Sequence, residues 1–224
     1  MNRRLFLRYS AAGFSAIPVW KTLALDQDEI DSEICARKFE LAVSLSLRDR
    51  PINEAIARMG LSFLGTEYLA HALEVPGPER LVVNMRGLDC VSFYENAFVL
   101  ARCVKKNATT FDDYQKELTL VRYRGGVIDG YPSRLHYTSD YFYDGQKKGL
   151  WENRTKKFGG VPYVKAINFM STHPESYRQL KENPELVEVI REQEKEISAR
   201  EHYFLPKEKV KAAEEYFHSG DILG

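Results

Sequence analysis

Cysteine is scarce in this chain of 224 residues: Cys35, Cys90 and Cys103 are the complete set. Three thiols are too few for a disulfide framework, and an odd count leaves at least one free unless it pairs with another chain. Net charge is also missing. Lys and Arg number 32 and Asp and Glu number 32, which excludes the whole-chain basic footprint of a nucleic-acid-binding protein. No apolar run approaches the roughly 20 residues of a bilayer-spanning helix, so no stable membrane anchor is expected. The five histidines (His71, His136, His173, His202 and His218) lie scattered, without Cys or carboxylate partners at metal-ligand spacing, so neither a metal nor another cofactor is expected. Internal repeats and low-complexity tracts are absent. What is present suits a soluble globular chain: hydrophobic residues make up 44%, and the length supports one good-sized core or two small ones. Thirteen Tyr and 12 Phe fit an ordinary core, and equally a cleft that stacks on sugars.

The first 24 residues read as a targeting segment. Arg3-Arg4 followed by Leu5-Phe6-Leu7-Arg8 resembles a twin-arginine export signal, the mild apolar stretch Ala11–Trp20 follows, and Thr22-Leu23-Ala24 offers small residues for cleavage. The expectation is a periplasmic protein whose mature part, residues 25–224, is a single domain. An N-terminal amphipathic helix of the mature protein is the alternative.

The most informative stretch is Arg86-Gly87-Leu88-Asp89-Cys90-Val91-Ser92-Phe93-Tyr94-Glu95. A short apolar run, Leu81–Met85, reads as a strand leading in. Val91, Tyr94, Ala97, Phe98, Ala101 and Val104 then recur at helical spacing, which predicts a core helix from Cys90 to about Val104. Asp89 is a good N-cap, leaving Cys90 in the first turn at the positive end of the helix dipole. A thiol so placed ionises more readily than a free one, near 8.5, and the thiolate is the nucleophile. The other reading of a lone Cys in an apolar helix is a small buried side chain.

Around this stretch the periodicity predicts helices from Asp28 to Leu47, from Ile52 to about Gly65, from Phe111 to Val121 with Thr110 as cap, from Pro184 to about Arg200, and from Lys207 to Phe217. A further charged helix starts at Pro174, and Val161–Ser171 reads as a buried strand. Between Asp129 and Gly160 helical periodicity vanishes. There Asp144-Gly145 is a hairpin-type dipeptide. As a two-residue turn it would set His136 opposite Asn153, a base and orienter of suitable chemistry; a longer loop over Gln146–Gly149 would break that register.

Four stretches in order, Phe63-Leu64-Gly65-Thr66-Glu67-Tyr68, Leu88-Asp89-Cys90-Val91-Ser92-Phe93, Leu205-Pro206 and Gly220-Asp221-Ile222-Leu223, resemble the NlpC/P60 superfamily of papain-like cell-wall hydrolases. Glu95-Asn96 and Arg134-Leu135-His136-Tyr137 with Ser139-Asp140 are similar to its N-acetylmuramoyl-L-alanine amidase-like branch, the domain of unknown function 1460. The resemblance implies an α+β papain-like fold, with the nucleophile at the N-terminus of a core helix packed on an antiparallel sheet and a helical, loop-rich insertion. It implies that Cys90 attacks the lactyl–L-Ala amide of (anhydro-)muropeptides without a metal. The Cys90 N–H and the Tyr68 hydroxyl would hold substrate or oxyanion. Asp89, Arg134, Tyr137 and Asp140 would contact the peptidoglycan-derived fragment.

Three departures qualify this expectation. Glu67 stands where Pro is common, and Tyr141 where the branch often has Trp. In the superfamily, Gly-Asp and its apolar strand come just before the strand bearing the catalytic His; here Gly224 follows instead. The expectation is a truncated member lacking that strand, weakly active or inactive. His136 is then a stand-in base, part of a recognition insertion, or a structural histidine. A non-catalytic muropeptide-binding remnant and a periplasmic interaction protein are the competing functions.

Overall fold

The computed structural model describes residues 27–224; the twin-arginine segment lies outside them. The first two helices are α1 (Gln27–Ser44) and α2 (Ile52–Leu61). The two-residue strands β1 (Glu67–Tyr68) and β2 (Gly87–Leu88) follow, then α3 (Cys90–Lys106) and α4 (Phe111–Arg122). Next come α5 (Thr138–Lys147), β3 (Val161–Pro162), α6 (Phe169–Thr172) and α7 (Arg178–Glu182). The chain continues through α8 (Glu185–Ser198), β4 (Tyr203–Phe204) and α9 (Lys207–Ala213). The protein is thus a helix-rich α+β structure with small sheets.

Helix α3 is the axis of the larger core. Its residues from Glu95 to Ala101 are all buried, because α2 covers one side and α4 another. Capping defines both helices. Asp89 accepts from Ser92 N at 2.7 Å while Ser92 Oγ accepts from Asp89 N at 2.9 Å, and Thr110 and Asp113 form the same box before α4. A second, smaller core of Tyr131, Met170, Leu180 and Ile190 lies in the later part of the chain.

The antiparallel sheet expected behind α3 is not found among the described residues. β1 and β2 pair in parallel, with Glu67 opposite Gly87 and Tyr68 opposite Leu88, and the antiparallel pair β3–β4 lies far along the chain. Leu81–Met85 is no ladder strand either, because side chains satisfy its backbone instead. Arg122 Nη1 donates to Val82 O, Asn96 Nδ2 donates to Asn84 O at 3.1 Å, and Asp31 accepts from Met85 N at 2.9 Å. Each of these partners is itself buried, so the segment has its hydrogen bonds without a neighbouring strand.

The region expected to lack helix contains α5. Asp144-Gly145 is inside that helix, and a Cβ at Gly145 would stand 1.8 Å from the Trp151 indole. The glycine serves close packing, not a turn, so the hairpin that would have paired His136 with Asn153 does not exist. Val161–Ser171 is likewise not a buried strand: only Val161–Pro162 pairs, and Phe169–Thr172 is helical. Residues 221–224 pair with no strand, although Ile222 packs on the larger core.

The strongest constraint on the core is ionic. Arg122 donates from Nε and Nη2 to Glu95 Oε2 at 3.0 and 2.7 Å, with both side chains nearly inaccessible. Burial works against the charged guanidinium, but the carboxylate outweighs it and the Arg122 pKa rises. Leaving one buried ion unpaired typically costs about 3–5 kcal/mol. Glu95→Ala is therefore expected to lower unfolding stability by about that amount in urea titration, and Glu95→Leu combined with Arg122→Met to lose less than the single change. A Glu95→Ala protein within about 1 kcal/mol of the parent would show that the pair does not organise the core.

Candidate active site

Cys90 occupies the first position of α3 and is exposed, whereas Cys35 and Cys103 are buried. Burial, reinforced by neighbouring negative groups, pushes both buried thiols up to about 12. The accessible sulfur thus sits at a helix N-terminus whose first turn holds no acidic residue, where the dipole favours an anion. Asp89 immediately before it is committed to the cap, both backbone and hydroxyl of Ser92 donating to its Oδ1.

The parallel pairing of β1 and β2 builds the rest of this edge. Tyr68 lies opposite Leu88, and Leu69 N donates to Leu88 O at 3.1 Å. The two strands come so close that a Cβ on Gly87 would stand 2.9 Å from the Leu69 Cβ. Tyr68, 70% exposed, is thereby brought beside the strand that runs directly into Asp89 and Cys90. Phe93, one turn further along α3, is also exposed and rests against Gly60 of α2. Cys90 and Phe93 thus follow one another on one face of α3, and exposed Tyr68 belongs to the strand paired with the one that leads into them.

The remaining candidates lie elsewhere and have partners of their own. His136 Nε2 is 3.0 Å from the carbonyl of Tyr131, a contact that requires the proton on Nε2, and its ring lies 4.4 Å from the Tyr131 ring, tilted by 41°. The protein packed around it, together with the Arg134 guanidinium, pushes its pKa down to about 3. Arg134 donates to Glu74 at 2.7 Å and to Leu73 O at 3.0 Å. Tyr137 donates to Glu194 at 2.6 Å and accepts from Met170 N. Asp140, fully enclosed, pairs with Arg124 at 2.7 Å and Arg200 at 2.5 Å. Arg124, Arg134, His136, Tyr137 and Asp140 enclose a void of about 10 Å³, room for about one water molecule. Asn153 is exposed and accepts from Thr155 N through its side chain. Among the described residues no histidine hydrogen-bonds to Cys90; the ring nitrogens of His136, His173 and His202 meet backbone carbonyls.

Asp31 and Arg122 went unrecognised in the sequence, although they fix the approach to Cys90. A carboxylate one helical turn before Cys35 on a buried face was the available signal for Asp31. Arg122, read as the end of an ordinary helix, offered none.

The sequence profile of the AmiA-like, N-acetylmuramoyl-L-alanine amidase-like family matches residues 58–224, well over half of the chain. Among solved structures, a Bacteroides fragilis protein described as a candidate xylanase is 39% identical with a TM-score of 0.65, covering 68% of this chain and 66% of its own. An N-acetylmuramoyl-L-alanine amidase from Bacteroides uniformis ATCC 8492 is 34% identical with a TM-score of 0.67, covering 70% of this chain and 66% of its own. A Legionella pneumophila protein of the domain of unknown function 1460 shares the fold at 19% identity and a TM-score of 0.54, covering 80% of this chain and 63% of its own. The chain thus spans just under two thirds of the length of these relatives. No curated protein matches it.

Two outcomes follow from this geometry. Asp89→Ala removes the cap and is expected to cost about 1 kcal/mol of stability, measured by urea titration; an unchanged midpoint would deny the cap any role. His136 has a folded pKa of about 3 against an ordinary 6.5. Its contribution to stability is therefore complete above pH 6.5 and drains away as pH falls towards 3, where only the unfolded chain takes up the proton. His136→Gln should flatten the decline in stability between neutral and acid pH, and an unaltered pH profile would contradict the assigned environment.

Proposed function

The chain belongs to the AmiA-like, N-acetylmuramoyl-L-alanine amidase-like family, and from that premise we propose that it acts on peptidoglycan fragments with Cys90 as nucleophile. In this reading residues 25–224 form one papain-like domain of NlpC/P60 type, exported by the twin-arginine segment that precedes it. The bond attacked is the amide joining the lactyl group of N-acetylmuramic acid, or its anhydro form, to L-alanine. The observation that carries the reading is the single accessible thiol at the capped start of α3.

In the proposed step the Cys90 sulfur adds to the amide carbonyl. The α3 N-terminus and the Tyr68 hydroxyl offer N–H and O–H donors to the oxygen that becomes negative. The C–N bond then breaks, the peptide amine leaves with the proton given up by the thiol, and water hydrolyses the thioester, freeing the muramoyl carboxyl group and restoring the Cys90 thiol. Phe93 supplies an exposed ring beside the reacting edge. Arg134, Tyr137 and Asp140 are engaged in buried pairs, so their role in this reading is to hold the insertion in shape beside the substrate. His136 is a poor base for Cys90, because its accessible basicity is lost to burial.

The xylanase description of the Bacteroides fragilis relative points to glycosidic bonds. That chemistry uses two free carboxyl groups across a sugar. The carboxylates next to Cys90 in sequence, Asp89 and Glu95, are already committed to a cap and to Arg122.

With no imidazole touching Cys90 among the described residues, turnover is expected to be slow. Incubation with an anhydro-muropeptide should release the L-Ala-terminated peptide, added imidazole should raise the rate, and Cys90→Ala should abolish it. Iodoacetamide at neutral pH should modify Cys90 well before Cys35 or Cys103. Peptide release that survives Cys90→Ala would rule out the cysteine mechanism.

A further inference from the structure

An open cavity of about 590 Å³ lies between α1, the end of α2 and the segment before β2. This is within the usual range for small-ligand sites. One wall is apolar, made by Ile34, Leu41, Phe63 and Met85; Arg37, Lys38 and Arg86 supply positive charge. Among the described residues no carboxylate lines the cavity; behind its wall Asp31, fully enclosed, takes Arg86 Nε and Nη2 at 3.2 Å each. Arg37 has a loose partner in Glu33 at 3.6 Å, both well exposed. Lys38 donates to Ser62 O and lies 4.0 Å above the Phe63 ring, with no carboxylate partner among the described residues; burial, then Arg37, lowers its pKa. Three cations against one enclosed and one peripheral carboxylate leave the cavity short of negative charge.

We propose that this cavity binds a short acidic peptide, its carboxylate held by Arg37 and Lys38 and an adjoining small apolar side chain resting on Ile34, Leu41 and Phe63. The mixed wall is what selects a peptide over a bare anion: phosphate or sulfate would satisfy the cations and leave the apolar side uncovered. Arg86 precedes Cys90 by four residues, so their Cα atoms are at most about 14 Å apart. That is the reach of a three- or four-residue extended peptide. Identification of the ligand as the acidic peptide stem of a wall fragment rests on the amidase reading; binding itself does not.

The test is calorimetric titration of the full chain with the dipeptide Ala-Glu, with Ala-Gln and with inorganic phosphate. Ala-Glu is expected to bind, to weaken as salt is raised, and to bind at least fivefold more tightly than either control. Arg37→Glu, a change on an exposed side chain, should weaken Ala-Glu at least tenfold, while Cys90→Ala should leave it unaltered. Ala-Gln binding as well as Ala-Glu, phosphate binding as tightly, an unaffected Arg37→Glu protein, or no heat up to millimolar ligand would each overturn the assignment. The dipeptide comparison and the salt dependence need no variant, so they decide the matter even if a substitution misfolds. Binding without any muropeptide turnover would sink the amidase reading and leave the cavity assignment standing.

Discussion

The buried Glu95–Arg122 pair is the interaction on which the rest depends. Arg122 uses two nitrogens on the carboxylate of α3 and a third on the carbonyl of Val82. It therefore joins α4, α3 and the extended segment before β2 at one point. Asn96, the next residue of α3, holds Asn84 O and receives the Tyr114 hydroxyl at 2.6 Å. Asp31 of α1 holds Met85 N and Arg86. Three helices thus grip backbone groups of Val82, Asn84 and Met85, which have no strand partner among the described residues. In a low-dielectric interior such bonds are stronger than in water, and breaking one leaves its partner costly to bury.

That grip explains how a sulfur can be exposed and still be well placed. The segment 82–88 is fixed from below by charged and amide side chains, β1 closes it from the side, and the Asp89–Ser92 box starts α3 at a defined residue. Cys90 inherits its position from these three constraints, although its own side chain makes no hydrogen bond. The other two thiols lie inside the core that the same helices enclose, so accessibility alone separates one cysteine from two.

The later part of the molecule follows the same logic with different charges. Asp140 gathers Arg124 and Arg200, and Glu194 gathers Tyr137 and the Ser171 backbone. These enclosed carboxylates tie α5 to α8 across the smaller core. Residues that a sequence reader would assign to ligand contact, because they are polar and clustered, are here spent on each other. The cavity beside α1 is the opposite case. Its positive charges outnumber the carboxylates facing them, and that imbalance distinguishes a surface that can receive a ligand from one that is already satisfied.

By itself the sequence determined the long helices and their starts. Hydrophobic spacing and capping residues are local, so α1, α2, α3, α4 and α8 could be placed within a few residues, with Asp89 and Thr110 as caps. It also singled out Cys90. Only tertiary structure decided the remainder, because the deciding partners are remote along the chain. Leu81–Met85 has a strand's composition, but Asp31, Asn96 and Arg122 took its hydrogen bonds. Asp144-Gly145 has a turn's composition, but Trp151 needed a residue without a Cβ beneath it. His136 has a base's chemistry, but the protein closing around it removed its basicity. Local pattern fixes where a helix begins; which backbone group or charge is satisfied, and by whom, is settled only when the chain has folded.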